Sequence, residues 1–439
     1  MFAIPLAWLQ LLRERTRLLV ALAGIGFAVI LMFMQLGFRD ALFESAITLH
    51  KSLQGDIFLI SPQSNALIAM RSFSERRLFQ ARGYDGVDYV SPIYLDFRLW
   101  KNPQTRRTRG IMVIGTNPDD PVFDLPAYDR DPLTGAIQPV KFQSLLQKVK
   151  IPDQVLFDKD SRPEFIPIID PKSNTKVLDW FRDGTMLTTE VGGRRVTVAG
   201  LFKMGASFGA DGNIITSYLN FIRIFNSRKR GIIDVGLVKL KPGADGQQVL
   251  AAMRGEAPPP PKNWLGQSPQ PETRLLTCKD FEHVSAAGAL PKDVCVLSKA
   301  EFAEFERSYW QNSTAIGFIF GLGTAMGFVV GSVIVYQILY TDVTDHLPEY
   351  ATLKAMGYRN LYLTGVVFQE ALILAVLGYI PGFVLCLGLY NLTQNATSLP
   401  IVMTAERAVL VFILTLLMCI ISSIIAIRKV QSADPAEIF

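Results

Sequence analysis

The sequence predicts an integral membrane protein of four transmembrane α-helices, with a large α+β domain carried between the first helix and the second. Long apolar runs fall at Leu18–Phe38, Thr314–Tyr340, Leu361–Tyr390 and Ala408–Ile427. A helix needs about 20 apolar residues at 1.5 Å each to cross a hydrocarbon core of ~30 Å, and each run reaches that length. The interval 39–313 is polar enough to fold in water. Charged residues make up 19% of the chain, against roughly 25% in soluble domains, and the mean hydropathy is positive at +0.26.

The segment before the first run, Ile4–Arg17, sets Trp8 among leucines ahead of a basic end, the pattern of an interfacial helix. The first run is longer than a signal-peptide core and is expected to be retained. Arg13, Arg15 and Arg17 precede it, Lys354 and Arg359 lie between the second and third runs, and Arg428 and Lys429 follow the fourth. Cations accumulate on the cytoplasmic side, so both termini and the 341–360 loop are expected inside and the 39–313 domain outside. Arg39 and Arg307 count against that orientation, and Arg407 is the cation of the short 391–407 link.

Within the domain, Asp56–Ile60, Tyr89–Leu99, Arg109–Gly115, Arg194–Phe202, Val235–Lys241 and Val294–Leu297 read as strands. Helices are expected around Phe73–Arg82 and over Asp245–Arg254, the latter with Asp245 near its N-cap. The segment 117–190, rich in Pro, Asp and Gly, reads as an inserted subdomain between two β-α-β-like halves. Pro258–Pro261 marks an extended loop within 256–271. Phe38, Leu42, Leu49 and Leu53 on one side, and Phe302, Phe305 and Tyr309 on the other, recur at mostly helical spacing. The runs bordering the domain are therefore expected to continue outward as amphipathic helices.

The second run holds Gly317, Gly321, Gly323, Gly327 and Gly331. Small residues four apart let helices approach closely in lipid, so these mark a tight seam, within the chain or across a dimer. Glu370 in the third run should be protonated, paired or turned to a polar cavity, and structural pairing is the favoured reading. Cys386 and Cys419 lie inside runs and read as packing residues, while Cys278 and Cys295 in the domain could form a disulfide.

Enzyme chemistry finds no support. There is no H-E-x-x-H and no C-x-x-C, and the three histidines His50, His283 and His346 are scattered. No Walker A sequence is present, so no cofactor is expected on this chain and energy must come from a partner. No basic stripe is interleaved with aromatics, which argues against nucleic acid. In the 341–360 loop, Pro348 suits a first helical turn, Glu349 its positive end and Gly357 the C′ position.

That loop resembles the coupling helix of the MacB/FtsX-type permeases (type VII ABC transporters), through Glu349, Leu353, Lys354, Ala355 and Gly357. The resemblance extends to the one-span, domain, three-span order, to Glu370 with Gly378 and Gly382, and to Asp434-Pro435-Ala436-Glu437. Val330–Tyr340 and Asp345–Lys354 are similar to the cyanobacterial DevC branch, from which the proline-rich 256–285 stretch departs by its length. The resemblance implies a non-catalytic inner-membrane subunit with a periplasmic domain, pairing with a second copy of itself. It implies a cytoplasmic ABC ATPase dimer that binds ATP and Mg, and Glu349, Tyr350, Leu353, Lys354 and Gly357 as the coupling residues. It further implies a membrane-fusion adaptor, a TolC-like outer-membrane protein, membrane lipid or glycolipid as cargo, and a mechanical role for the helices flanking the domain. FtsX-like activation of cell-wall hydrolases and lipoprotein release are the alternatives within the same resemblance.

Overall fold

The computed structural model describes residues 15–131, 134, 136–166, 181, 188–205, 207, 209–256, 289–349, 352, 356, 358, 360–397 and 399–431. They divide into two compact units, one formed by Met1–Leu42 with Thr314–Phe439 and the other by Phe43–Ser313. Helix α1 (Arg15–Ala46) comes first. The domain follows with α2 (Thr48–Ser52), β1 (Ile57–Ile60), β2 (Phe73–Ser74), α3 (Arg76–Ala81), β3 (Val87–Lys101) and β4 (Thr108–Thr116). Next come β5 (Ala127–Arg130), β6 (Ile137–Val140), α4 (Phe142–Lys148), β7 (Gln154–Asp158), β8 (Thr188–Val191) and β9 (Arg194–Phe202). The domain is completed by β10 (Asn213–Ser217), α5 (Tyr218–Ile224), β11 (Ile232–Ile233), β12 (Val235–Leu240), α6 (Gly246–Arg254), β13 (Cys295–Ser298) and α7 (Lys299–Asn312). Helices α8 (Ala315–Asp345), α9 (Asn360–Thr397) and α10 (Ala405–Gln431) return to the first unit.

The domain is built on one mixed sheet, ordered β13-β1-β12-β3-β4-β10-β7-β9-β5-β6, with β8 against β3 and β9. Strands covered on both faces read as continuous apolar runs, because successive side chains point to opposite cores. Strand β1 shows this: Ile57 and Leu59 join a core with Trp100, Phe157 and Phe221, while Phe58 and Ile60 join another with Phe142, Phe202 and Phe302. Strand β4 divides likewise, Ile111 and Val113 to one core, Met112 and Ile114 to the other.

The described strands of segment 117–190 belong to this same sheet. Strand β7 lies between β10 and β9, parallel to β9, with Gln154 opposite Thr197. The helix expected around Phe73–Arg82 starts only at Arg76, because Phe73 and Ser74 pair with Ile233 and Ile232 of β11. Helix α6 is capped as the sequence indicates: the Asp245 carboxylate accepts from Gln247 N–H at 2.9 Å, and Gly255 ends the helix at φ 73°. Helix α7 begins in a capping box, Ser298 accepting from Glu301 N–H and Glu301 accepting from Ser298 N–H.

The apolar runs form helices α1, α8, α9 and α10, each long and apolar enough to cross a membrane. They extend past the runs because no breaker stops them. On the domain side, Ile47 interrupts the helical run between α1 and α2, and Ser313 closes α7 before Thr314 caps α8. The expected interfacial helix 1–17 (before Arg15), the proline-rich loop from residue 257 and the tail beyond Gln431 lie outside the described residues.

Candidate functional site

The membrane unit is assembled around α1. Six of its side chains, Ala21, Ile25, Ala28, Val29, Met32 and Phe33, are no more than 1% exposed. Glycines make that close approach possible, because dispersion packing replaces the hydrophobic effect in lipid. A Cβ on Gly331 would stand 2.7 Å from Ala28 Cβ, and one on Gly327 would stand 3.3 Å from Met32 Cγ. A Cβ on Gly323 would meet the Gln35 amide at 2.6 Å. These three expected packing glycines thus line a seam between α8 and α1 inside the chain. Gly321 faces open space among the described residues, and Gly317 is half-buried. A second seam joins α1 to α9, where a Cβ on Gly378 would lie 2.5 Å from Ile25 Cγ2 and one on Gly382 would lie 2.9 Å from Val29 Cγ1.

Both ends of α1 carry ion pairs. Arg17 pairs with Asp345 and approaches Asp342 Oδ1 at 3.7 Å, both at the end of α8. At the other end, Arg407 at the start of α10 donates to Asp40 Oδ2 at 2.8 Å and to Val402 O at 2.8 Å. Tyr390 of α9 donates to Phe33 O at 2.5 Å and lies 3.4 Å from the Arg407 guanidinium. Arg407 is 6% exposed, so its charge is compensated within the protein. Sequence reading treats Arg17 and Arg407 only as topogenic charges and passes over Asp40, Tyr390 and Asp342. The available signal was an acid closing one apolar run and a base opening another.

Glu370 on α9 is 1% exposed and therefore covered by protein instead of facing lipid. In the 341–360 loop, α8 stops at His346, whose N–H donates to Asp342 O at 3.0 Å. Residues 347–349 and Thr352 are helical, with Thr352 Oγ1 donating to Pro348 O at 2.8 Å. Glu349 is exposed on this turn. Met356 and Tyr358 beside it are 64% and 46% exposed, large side chains offered outward. Tyr350, Leu353, Lys354 and Gly357 lie outside the described residues, as does Cys278; Cys295 is buried in β13.

Several titratable groups are buried in the domain, His50, Glu306 and Asp158 among them. His50 of α2 is wholly covered, with its ring 4.2 Å from that of Phe302, and burial lowers its pKa to about 3. Burial pushes Glu306 of α7 up to about 7, against hydrogen bonds donated by Leu67 N–H and Trp310 Nε1–H, each at 2.8 Å. Asp158 is likewise pushed up to about 6 while accepting from Asn213 Nδ2, Met204 N–H and Gly205 N–H. These carboxyls hold the backbone in place at Leu67 and at Met204–Gly205. No group of metal-binding side chains assembles among the described residues.

Comparison with known proteins places residues 314–435 in the FtsX-like permease C-terminal family. Two solved structures are similar over the domain. One is the extracellular domain of the noncanonic ABC-type transporter YknZ from Gram-positive bacteria, at 16% identity and TM-score 0.27, covering 46% of this chain and 96% of that one. The other is the periplasmic region of MacB from Actinobacillus actinomycetemcomitans, at 8% identity and TM-score 0.31, covering 62% of this chain and 99% of that one.

Proposed function

We propose that this chain, whose residues 314–435 match the FtsX-like permease C-terminal family, is the membrane subunit of an ATP-driven exporter that works by mechanical stroke. The family match carries the reading, together with the order of one span, a large domain and three further spans. Two copies pair in the inner membrane with both termini and the 341–360 loop in the cytoplasm. A separate ABC ATPase dimer binds ATP and Mg and grips that loop through Glu349, Tyr350, Leu353, Lys354 and Gly357. Its closure moves the helices, and the periplasmic domain acts on cargo outside. In the DevC-like form of this reading, the domain works with a membrane-fusion adaptor and a TolC-like outer-membrane tunnel to export envelope glycolipid. The exposed Glu349, Met356 and Tyr358 support a docking role for the loop.

The test is mass spectrometry of what co-purifies in stoichiometric amount with the chain from native membranes in mild detergent. An ATPase with an adaptor supports the exporter. An ATPase with a cell-wall hydrolase or its activator replaces it by a signalling scaffold, and an ATPase with a lipoprotein carrier by a lipoprotein-releasing permease. Absence of any ATPase overturns the reading. Gly357→Val should leave membrane insertion intact while ATP hydrolysis no longer drives the domain.

A further inference from the structure

The loop that receives the stroke is joined by chain continuity to α8 and α9, which flank it, and to neither α1 nor α10. Yet α1 is the helix that continues past the apolar run toward the domain, up to Ala46. Motion of the loop can reach α1 only through non-covalent contacts. The two glycine seams are van der Waals contacts, which hold α1 close against α8 and α9 but carry no charge. A charged pair at a helix end fixes register, because sliding by one residue separates the partners by 1.5 Å.

The structure places such a pair where the loop begins. Asp342 is 6% exposed on the last turn of α8, and its side chain meets Arg17 of α1 on one side. On the other, His346 Nδ1 lies 3.5 Å from Asp342 Oδ1 and 3.0 Å from Asp342 O. His346 is the residue at which α8 stops and the loop starts. Asp345, one residue before it, holds Arg17 by a second ion pair. Leu347 then packs on a small buried cluster of Val343, Val367 and Ile427, drawn from α8, α9 and α10. All four membrane helices thus converge on the first residues of the loop: three through an apolar cluster, and α1 through Arg17.

We infer that Arg17, Asp342 and Asp345 form an electrostatic relay that carries movement of the 341–360 loop to α1 and so to the domain. This rests on the proposed coupling role of the loop. The three residues position helices; none touches cargo or nucleotide. His346 is a neighbour of the relay through Asp342, and the energy of the stroke is supplied by the ATPase.

The experiment uses the full chain with its co-purified ATPase in nanodiscs, following amide exchange by mass spectrometry with and without vanadate-trapped ATP. In the unaltered complex, trapping changes exchange in 341–360 and in Thr48–Ser52. In Arg17→Gln the loop response persists and the Thr48–Ser52 response falls about tenfold, within the usual range for coupling between sites. Arg17→Lys, which keeps the charge, retains most of the response. The exchange of charges, Arg17→Asp with Asp345→Arg, restores it. A merely structural role would lower the loop response and ATP turnover together. A Thr48–Ser52 response unchanged in Arg17→Gln overturns the relay and leaves the coupling role of the loop standing. Should Arg17→Gln fail to accumulate, the exchanged pair decides: accumulation with the response supports the relay, and accumulation without it overturns it. Absence of any loop response in the unaltered complex removes both the relay and the coupling reading beneath it.

Discussion

His50 gives a prediction whose sign and size follow from its surroundings. The side chain is 1% exposed, packs at a tilt against the Phe302 ring, and neither ring nitrogen has a hydrogen-bond partner among the described residues. Burial lowers its pKa from 6.5 to about 3. The unfolded chain therefore binds the proton more readily than the folded one. The contribution of His50 to stability is complete above pH 6.5 and is lost as pH falls toward about 3. Between pH 8 and pH 5 the loss comes to about 2 kcal/mol. Two carboxyls run the other way. Glu306, raised to about 7, and Asp158, raised to about 6, contribute stability that is complete at low pH and lost as pH rises through those values. The pH profile of the unaltered protein is thus a sum of opposing slopes, and only a difference isolates His50.

The variant His50→Phe keeps an aromatic ring and removes the titration. At pH 8 it should be more stable by about 1 kcal/mol, since two polar ring atoms leave an apolar site. At pH 5 the advantage should widen by about 2 kcal/mol. Urea unfolding of the domain in the detergent-solubilised chain, read by tryptophan emission, measures both, because Trp100 and Trp310 are buried reporters within it. Profiles that run parallel from pH 8 to pH 5 would refute the reasoning, since His50 would then carry the same proton affinity folded and unfolded.

Three more outcomes are expected. Gly378→Val forces a side chain against Ile25 and should cost about 1–3 kcal/mol or abolish accumulation, whereas Gly388→Ala, which meets open space, should be silent; thermal denaturation in detergent compares them. Asp40→Asn strips the buried Arg407 of its counter-charge, and since Asp40 is itself 35% exposed the cost should be about 1–2 kcal/mol. Adding Arg407→Leu should return part of that loss, which a double-mutant cycle measures. Glu306→Gln cannot accept from both Leu67 N–H and Trp310 Nε1–H, so exchange of the Leu67 amide should quicken by about tenfold, as one lost hydrogen bond implies.

The parts of the fold legible in the sequence are those whose cause is local. The four apolar runs, the alternating or β-branched strands such as Arg194–Phe202, and the Asp245 cap with its Gly255 stop each announce themselves within a few residues. Strands β5, β6 and β7 escape because they are short and take their partners at a distance. Only the sheet decides that Gln154 lies beside Thr197. The glycines of α8 are legible as a seam, but their spacing does not say which helix fills it; Ala28, Met32 and Gln35 of α1 do so. The ion pairs of Arg17 and Arg407 escape for the same reason as β7. A charge at the end of an apolar run has a topogenic role visible locally and a partner hundreds of residues away.

The arrangement around α1 restricts how a stroke can be transmitted. With glycine seams to α8 and α9 and ion pairs at both ends, α1 has two modes of response to a displaced loop. It can move with α8 as one body, keeping the Arg17 pairs with Asp342 and Asp345 and straining the Asp40–Arg407 contact to α10. Alternatively, it can stay with α10 and slide along the seam, breaking the Arg17 pairs. Asp342 is nearly buried but stands 3.7 Å from Arg17, and the closer acid Asp345 is 48% exposed, whereas the opposite clamp joins a buried Arg407 to a single acid, Asp40, that is a third exposed. Exposure alone does not make the Asp40–Arg407 contact the weaker clamp; the relay requires that the two carboxylates on Arg17 outlast the one on Arg407, so that α1 travels with α8. Asp40→Asn should then ease the movement it lets go, giving a larger vanadate-dependent change in amide exchange at Thr48–Ser52, while Arg17→Gln lowers it about tenfold. Equal losses in both variants would mean that the two clamps brace a static bundle and that the domain is driven through α8 alone.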